Sequence, residues 1–313
     1  MATQTIELQT EEHFGRRLPP RHLGYLLVEL PVAVKHAISM ALRNRSSMPG
    51  RHPQWLDRAA DIRFVGHEGN GEATLHFEAP TLGEAAQELY RQQELWPDRP
   101  EPEDTGFDLL GDVLSEIAER NVDSKRFDPP MLRQIDRFGR VFQGPYMGMN
   151  IVCRRHTVGH PASISPQTIE TARTFYQGTP APRQVRVTGW LDMLRASTQT
   201  FALRLDDDQE IRGVLPDGSI EDVKPLWNRR VLVLGRAVYR PSGRLLRVDA
   251  ARISAGDTEP SIWSRMPEPG TAKLDTSRLR RPQSTRSGMA AIMGHWPGDE
   301  SDEEIEAALE RLS

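Results

Sequence analysis

His156-Thr157-Val158-Gly159-His160 carries two imidazoles at i, i+4, the spacing that sets two metal ligands on one helix face. Helical zinc hydrolases built this way also need a glutamate directly after the first histidine, and here that position is Thr157. Gly159 and Pro161 disfavour a helix as well. The expectation is a polar loop, with no metal and no cofactor. Gly66, Gly69 and Gly71 superficially resemble a phosphate-binding loop. Such a loop must open a helix, so that its N–H groups point at the anion. The residues after Gly71 alternate like a strand, so a hairpin turn is expected. No Ser–His–Asp or paired-carboxylate arrangement has informative spacing, and the acids are spread over solvated helix faces. The residue types therefore point to a binding protein and away from an enzyme.

A second kind of chemistry is cationic. Between Arg183 and Arg252, twelve Arg and one Lys face nine Asp or Glu, a local charge of +4 in a chain of net charge −4. Arg229, Arg230, Arg236, Arg240, Arg244 and Arg247 cluster there, and Trp190 and Tyr239 offer flat apolar faces. Phosphates take cations and bases stack on aromatic rings, so this is a candidate surface for single-stranded nucleic acid. The plainer reading is that these arginines decorate the solvent face of a small domain.

The elements that position these residues suggest an α+β, multidomain chain. Residues 1–143 read as an α+β domain of unknown role. Leu23, Leu26, Leu27, Leu30, Val34, Ala37, Ile38 and Ala41 predict a helix between Arg21 and Arg43, with Pro31 as a possible kink. Asp61–Val65 and Ala73–Phe77 alternate around Asn70-Gly71, a hairpin signal. Leu82, Ala85, Ala86 and Leu89 predict an amphipathic helix, and Phe107, Leu110, Leu114 and Ile117 another. Trp96-Pro97 opens a loop, and Asp128-Pro129-Pro130 caps a further helix. Residues 144–182 read as a connector holding a candidate strand at Ile151-Val152-Cys153 and a capped helix after Ser165-Pro166.

Residues 183–255 hold five period-two runs, with Ser219 placed to cap a short helix between the third and fourth. That order predicts an OB-fold-like five-stranded β-barrel. An SH3-like barrel leaves the helix unexplained. Residues 256–288, rich in Pro, Ser, Thr and Arg and without period, read as a flexible, disordered basic linker.

The last segment, 289–313, is an acidic tail with seven acids against Arg311, a charge of −6, directly after 271–288 at +4. Ser301-Asp302-Glu303-Glu304 fits a capping box, and Ile305, Ala308, Leu309 and Leu312 form one apolar stripe of a short amphipathic helix. Ile292, Met293 and Trp296 add apolar anchors. Such a segment suits folding on a partner's groove. The other possibility is that the stripe docks on its own chain. Gly294-His295-Trp296-Pro297-Gly298-Asp299-Glu300, continuing through the acidic helix, resembles the C-terminal tail of small bacterial antitoxins paired with PIN-domain ribonuclease toxins. The resemblance covers about 20 residues. Those antitoxins are short and carry a small DNA-binding head. Here about 290 residues without a helix-turn-helix pattern come first.

The resemblance implies a PIN-domain nuclease as partner in a toxin–antitoxin system. Trp296, Pro297, Asp299, Glu300, Ile305, Leu309 and Leu312 would grip it. Arg280, Arg281 or Arg286 would reach its acidic, metal-binding site, because a guanidinium pairs with carboxylates. The alternative is an OB-fold protein that binds single-stranded nucleic acid and masks its own basic face with the acidic tail.

Composition sets the frame. With 313 residues, 37% hydrophobic and 27% charged, the chain suits two or three domains. Cys153 is the single cysteine, so no internal disulfide forms and a reducing compartment is expected. No run of about 18 apolar residues spans a membrane, and the start of the chain lacks a basic and apolar leader. The expected location is the cytoplasm.

Overall fold

The computed structural model describes residues 1–10, 17–47, 52–69, 73–90, 99–216, 220–256 and 263–270. The chain divides into Met1–Gly270 and Thr271–Ser313, and all described residues belong to the first unit. The expected Asn70-Gly71 turn, the Trp96-Pro97 loop and Ser219 lie outside the described residues. The chain is α+β, with helices and two mostly antiparallel sheets.

The first sheet takes β1 (Ala2–Thr10), β2 (Arg63–Glu68), β3 (Ala73–Ala79), β4 (Tyr146–Val152) and β5 (Ala162–Ile164), in the order β2-β3-β1-β4-β5. Every pairing in it is antiparallel. The helices of this region are α1 (Pro20–Arg43), α2 (Gln54–Ala59), α3 (Leu82–Ala85), α4 (Gln87–Tyr90), α5 (Gly106–Ala118), α6 (Pro129–Arg137) and α7 (Pro166–Gly178). The central strand, β1, comes from residues that carried no expectation of a strand. Gln4, Ile6 and Leu8 are buried while Thr3, Thr5 and Glu7 alternate with them, as a half-buried strand requires.

Leu26, Leu30, Val34 and Ile38 of α1 are fully buried in the same core as Ile6, Leu8, Leu75, Phe107, Leu110 and Leu114. Pro31 is half-buried within α1 and does not end it. Among the described residues α1 is the one helix long and apolar enough to cross a membrane, but its apolar face lies in this core.

Two expectations need correction here. Residues 144–182 are not a connector. They supply β4, β5 and α7, and Tyr146, Met149, Ile151, Ile164, Ile169 and Phe175 belong to the first core. β4 pairs with β1 and β5 pairs with β4, so these strands belong to the first sheet through partners distant in sequence. The helix expected from Leu82 to Leu89 is also broken at Ala86 into α3 and α4. In the hairpin strand β2, Phe64 and Val65 stay 41% and 61% exposed, because β2 is an edge strand with a bulge between Phe64 and Gly66.

The second sheet takes β6 (Arg183–Arg195), β7 (Thr200–Arg204), β8 (Glu210–Val214), β9 (Arg230–Tyr239) and β10 (Leu245–Ala255), with α8 (Ile220–Val223) between β8 and β9. Strand order is β10-β8-β7-β6-β9, and β10 also pairs with β9, so each strand has two neighbours. The β8–β10 pairing is parallel and the others are antiparallel. Val187, Leu191, Phe201, Leu203, Ile211, Val231, Val233 and Val248 fill its interior. Backbones come close at Gly235, where a Cβ would stand 2.5 Å from the Asp249 carbonyl oxygen, so glycine is required there.

The linker expected over 256–288 does not begin where it was placed. Residues 263–270 lie on the second sheet: Thr188 N–H donates to the Trp263 carbonyl at 3.2 Å, and the Tyr239 hydroxyl to the Glu268 carbonyl at 2.8 Å. Met266 packs against the interior cluster. Polar composition concealed this segment because backbone carbonyls make two of its attachments.

Candidate interaction surfaces

The arginine and aromatic cluster expected on one nucleic-acid face is divided by the fold. The β9–β10 hairpin turns toward the first sheet's helices. Ser242 N–H donates to the Val122 carbonyl at 3.2 Å, and its hydroxyl to Asp123 Oδ1 at 2.6 Å. Arg240 Nη1 donates to the Asp123 carbonyl at 3.0 Å, and Arg244 lies 3.5 Å from the Asp123 carboxylate. The Ser242 hydroxyl, aided by Arg244 and Arg240, holds the Asp123 carboxyl below its ordinary pKa although burial works to raise it. Met40 of α1 meets Val238 and Leu246 in a small apolar cluster beside these contacts.

Arg247 lies deepest, at 3% exposure. Its Nη1 is 3.0 Å from Asp128 Oδ2 and its Nε 2.7 Å from Asp249 Oδ1. Burial opposes its charge, but Asp128 and Asp249 more than offset that and raise its pKa. Asp128 itself is 1% exposed, caps α6 by accepting from Met131 N–H at 3.2 Å, and accepts from both the Ser46 N–H and hydroxyl. One buried carboxylate thus ties α1's following turn, α6 and β10 together. The sequence showed only the cap, because Arg247 stands 119 residues away.

Three expected nucleic-acid residues are therefore corrected. Tyr239 is 1% exposed and bonded to the Glu268 carbonyl, so it presents no stacking face. Arg247 is buried between carboxylates. Arg230 is 7% exposed and makes a two-pronged pair with Asp206 at 2.8 Å on each prong. Arg240 and Arg244 face Asp123, and Arg236 has Asp249 at 3.9 Å. Trp190, at 39% exposure, and Arg229 remain on the solvent side.

A second charged centre joins residues that are distant in sequence. Asp104, Asp108 and Asp112 recur every four residues along the start and face of α5, opposite Cys153-Arg154-Arg155-His156. Asp104 and Asp108 are fully buried. Arg154 Nη2 reaches Asp104 at 2.7 Å, and Arg155 Nε reaches it at 2.8 Å. The Arg155 N–H donates to Asp108 at 2.8 Å, and His156 Nε2 lies 3.2 Å from Asp112. The histidine singled out at 156 is thus held by a carboxylate on α5, and no group of three metal-ligating side chains forms among the described residues. Burial and the negative charge of Asp108 push the Cys153 thiol up to about 12, so it is not a ready nucleophile.

Burial works to raise the Asp112 pKa, but the His156 hydrogen bond and the charges of Arg126 and Arg155 prevail and lower it. A carboxyl depressed in the folded state contributes stability above its unfolded pKa of about 3.9, lost as pH falls through the folded value. Asp112→Asn is therefore expected to lower the urea midpoint at pH about 7, with the gap to the parent closing below pH about 4. A gap that stays constant into acid would show that the carboxylate charge contributes nothing.

Beside α1 and α2 lies a cleft of about 390 Å3 whose lining includes Pro31, Val32, Lys35, His36, His52 and Asp57. Lys35 Nζ already pairs with Asp57 at 2.7 Å. Burial, helped by Arg137 and Lys35 and opposed by Asp128, lowers the His36 pKa. That keeps its imidazole neutral at pH 7.

The expected partner-binding residues Arg280, Arg281, Arg286, Trp296, Pro297, Asp299, Glu300, Ile305, Leu309 and Leu312 lie outside the described residues. No family model, curated protein or solved structure matches the chain.

Proposed function

We propose that this chain is an antitoxin-like binding protein of the cytoplasm, whose residues 289–313 capture and inhibit a PIN-domain ribonuclease. The observation that carries the reading is the Trp296-Pro297-Gly298-Asp299-Glu300 run, followed by acidic residues with an apolar stripe at helical spacing. A basic stretch of +4 precedes it, suited to the carboxylates of a metal-dependent nuclease. The division of the chain at Thr271 supports treating this segment as a ligand borne by a separate body.

The five-stranded ring with one short helix between its third and fourth strands is read as an OB-like barrel. The alternative, a tail that masks a basic β9–β10 face, loses the buried charge of Arg247 to Asp128 and Asp249, and Arg244 already faces Asp123.

Deleting 289–313 is expected to abolish co-purification with a PIN-domain nuclease encoded beside this chain. Equal recovery by the shortened chain would overturn the proposal.

A further inference from the structure

Four tryptophans stand among the described residues, and three of them are exposed. Trp190, Trp227 and Trp263 are 39%, 61% and 41% accessible, whereas Trp55 is 4%. An indole is costly to leave in water, and exposed ones concentrate where something stacks on them.

All three gather along one short stretch of β6. Trp263 offers its carbonyl to Thr188 N–H at 3.2 Å. Trp190 stands two residues further along, directly opposite Arg204 of β7. Beyond it, Leu191 exchanges hydrogen bonds of 2.9 and 3.0 Å with Arg229 and Asn228, which brings the backbone next to Trp227 against β6. The three backbone positions thus flank residues 188–191, about 10 Å of strand.

Each indole has an arginine nearby. Arg229 follows Trp227 and Arg265 follows Trp263 by two residues, both exposed, and no ion pair among the described residues engages either. Arg204 is 54% exposed and has Asp208 at 3.7 Å, itself 87% exposed. So loose a surface pair yields readily to a phosphate. Asp192 is also exposed on β6 and limits the local positive charge.

We infer that this β6 side of the second sheet binds single-stranded nucleic acid, with bases stacked on Trp190, Trp227 and Trp263 and phosphates on Arg204, Arg229 and Arg265. Flat apolar rings alternating with available cations match a strand whose bases and phosphates alternate. The site differs from the β9–β10 arginines, of which Arg240 and Arg247 are engaged within the chain, and stands independently of the tail's partner.

The test is fluorescence anisotropy of the full chain with labelled oligo(dT) and oligo(rU) of about 12 nucleotides at low salt. Saturable binding is expected, with the two probes showing whether DNA or RNA is preferred. Trp190→Ala and Trp227→Ala should each weaken it about fivefold or more. The double variant Arg229→Glu with Arg265→Glu should flatten the salt dependence by about one unit or more of log–log slope. Arg236→Ala, away from the strip, should leave binding unchanged. Circular dichroism melts check that the variants fold. Absence of saturable binding overturns the inference and leaves a surface for protein alone. Binding that is equal in the tryptophan variants overturns it too, by assigning the contact to the basic stretch at 271–288.

Discussion

Arg247→Met is expected to destabilise Met1–Gly270 by about 3–5 kcal/mol, the usual cost of removing one partner from a buried ion pair. The guanidinium is enclosed by Asp128 at 3.0 Å and Asp249 at 2.7 Å. Removing it leaves Asp128 buried with a full charge and only Ser46 and the Met131 N–H to hold it. Chemical denaturation should show a lower midpoint. It should also show a change in cooperativity if the hairpin undocks before the rest unfolds.

Adding Asp128→Asn to Arg247→Met should recover part of the loss, because the orphaned charge is then gone while the cap on α6 is kept. Arg229→Ala, on an exposed arginine of the same sheet, should change stability by no more than about 0.5 kcal/mol. If Arg247→Met costs less than about 1 kcal/mol, the two sheets are not held together by this carboxylate.

The second large effect concerns the tail. Trp296→Ala is expected to weaken capture of the PIN-domain nuclease by about 2–4 kcal/mol, on the order of 30- to 1,000-fold. A single buried tryptophan at the centre of a small interface commonly carries that share. Glu303→Gln, on the polar side of the same stretch, should change affinity by less than about 1 kcal/mol at physiological salt. Calorimetric or surface-binding titrations separate the two. Equal effects would mean that bulk charge, not an anchored indole, holds the partner.

The legible parts of the fold are those whose signal is local. The Asp128 and Ser165 caps accept from Met131 and Thr168 as their spacing implies, and the five alternating runs of the second sheet all appear as strands. Local patterns suffice there because a cap or a pleat is completed within a few residues. β1 stayed hidden because its pairing with β4 spans more than a hundred residues, as in Glu7 opposite Asn150. Gln4-Thr5-Ile6-Glu7-Leu8 alternates, but a short run at a chain start carries little weight until a neighbour covers it.

The arginine excess was visible, yet charge counts do not reveal partners. Arg230, Arg244 and Arg247 each find an acid distant in sequence, Asp206, Asp123 and Asp128. Trp263 went unremarked because only its backbone bond to Thr188 brings it near Trp190.

Capture of a partner by the last two dozen residues is tested most directly by one dissociation constant. It is measured between a PIN-domain nuclease encoded beside this chain, the proposed partner, and two forms of this protein, the full chain and one ending at Gly288. Tight binding by the full chain and none by the shorter form is the predicted outcome. Comparable affinity for both would place the partner's contacts on the body of the protein and contradict a tail-held complex.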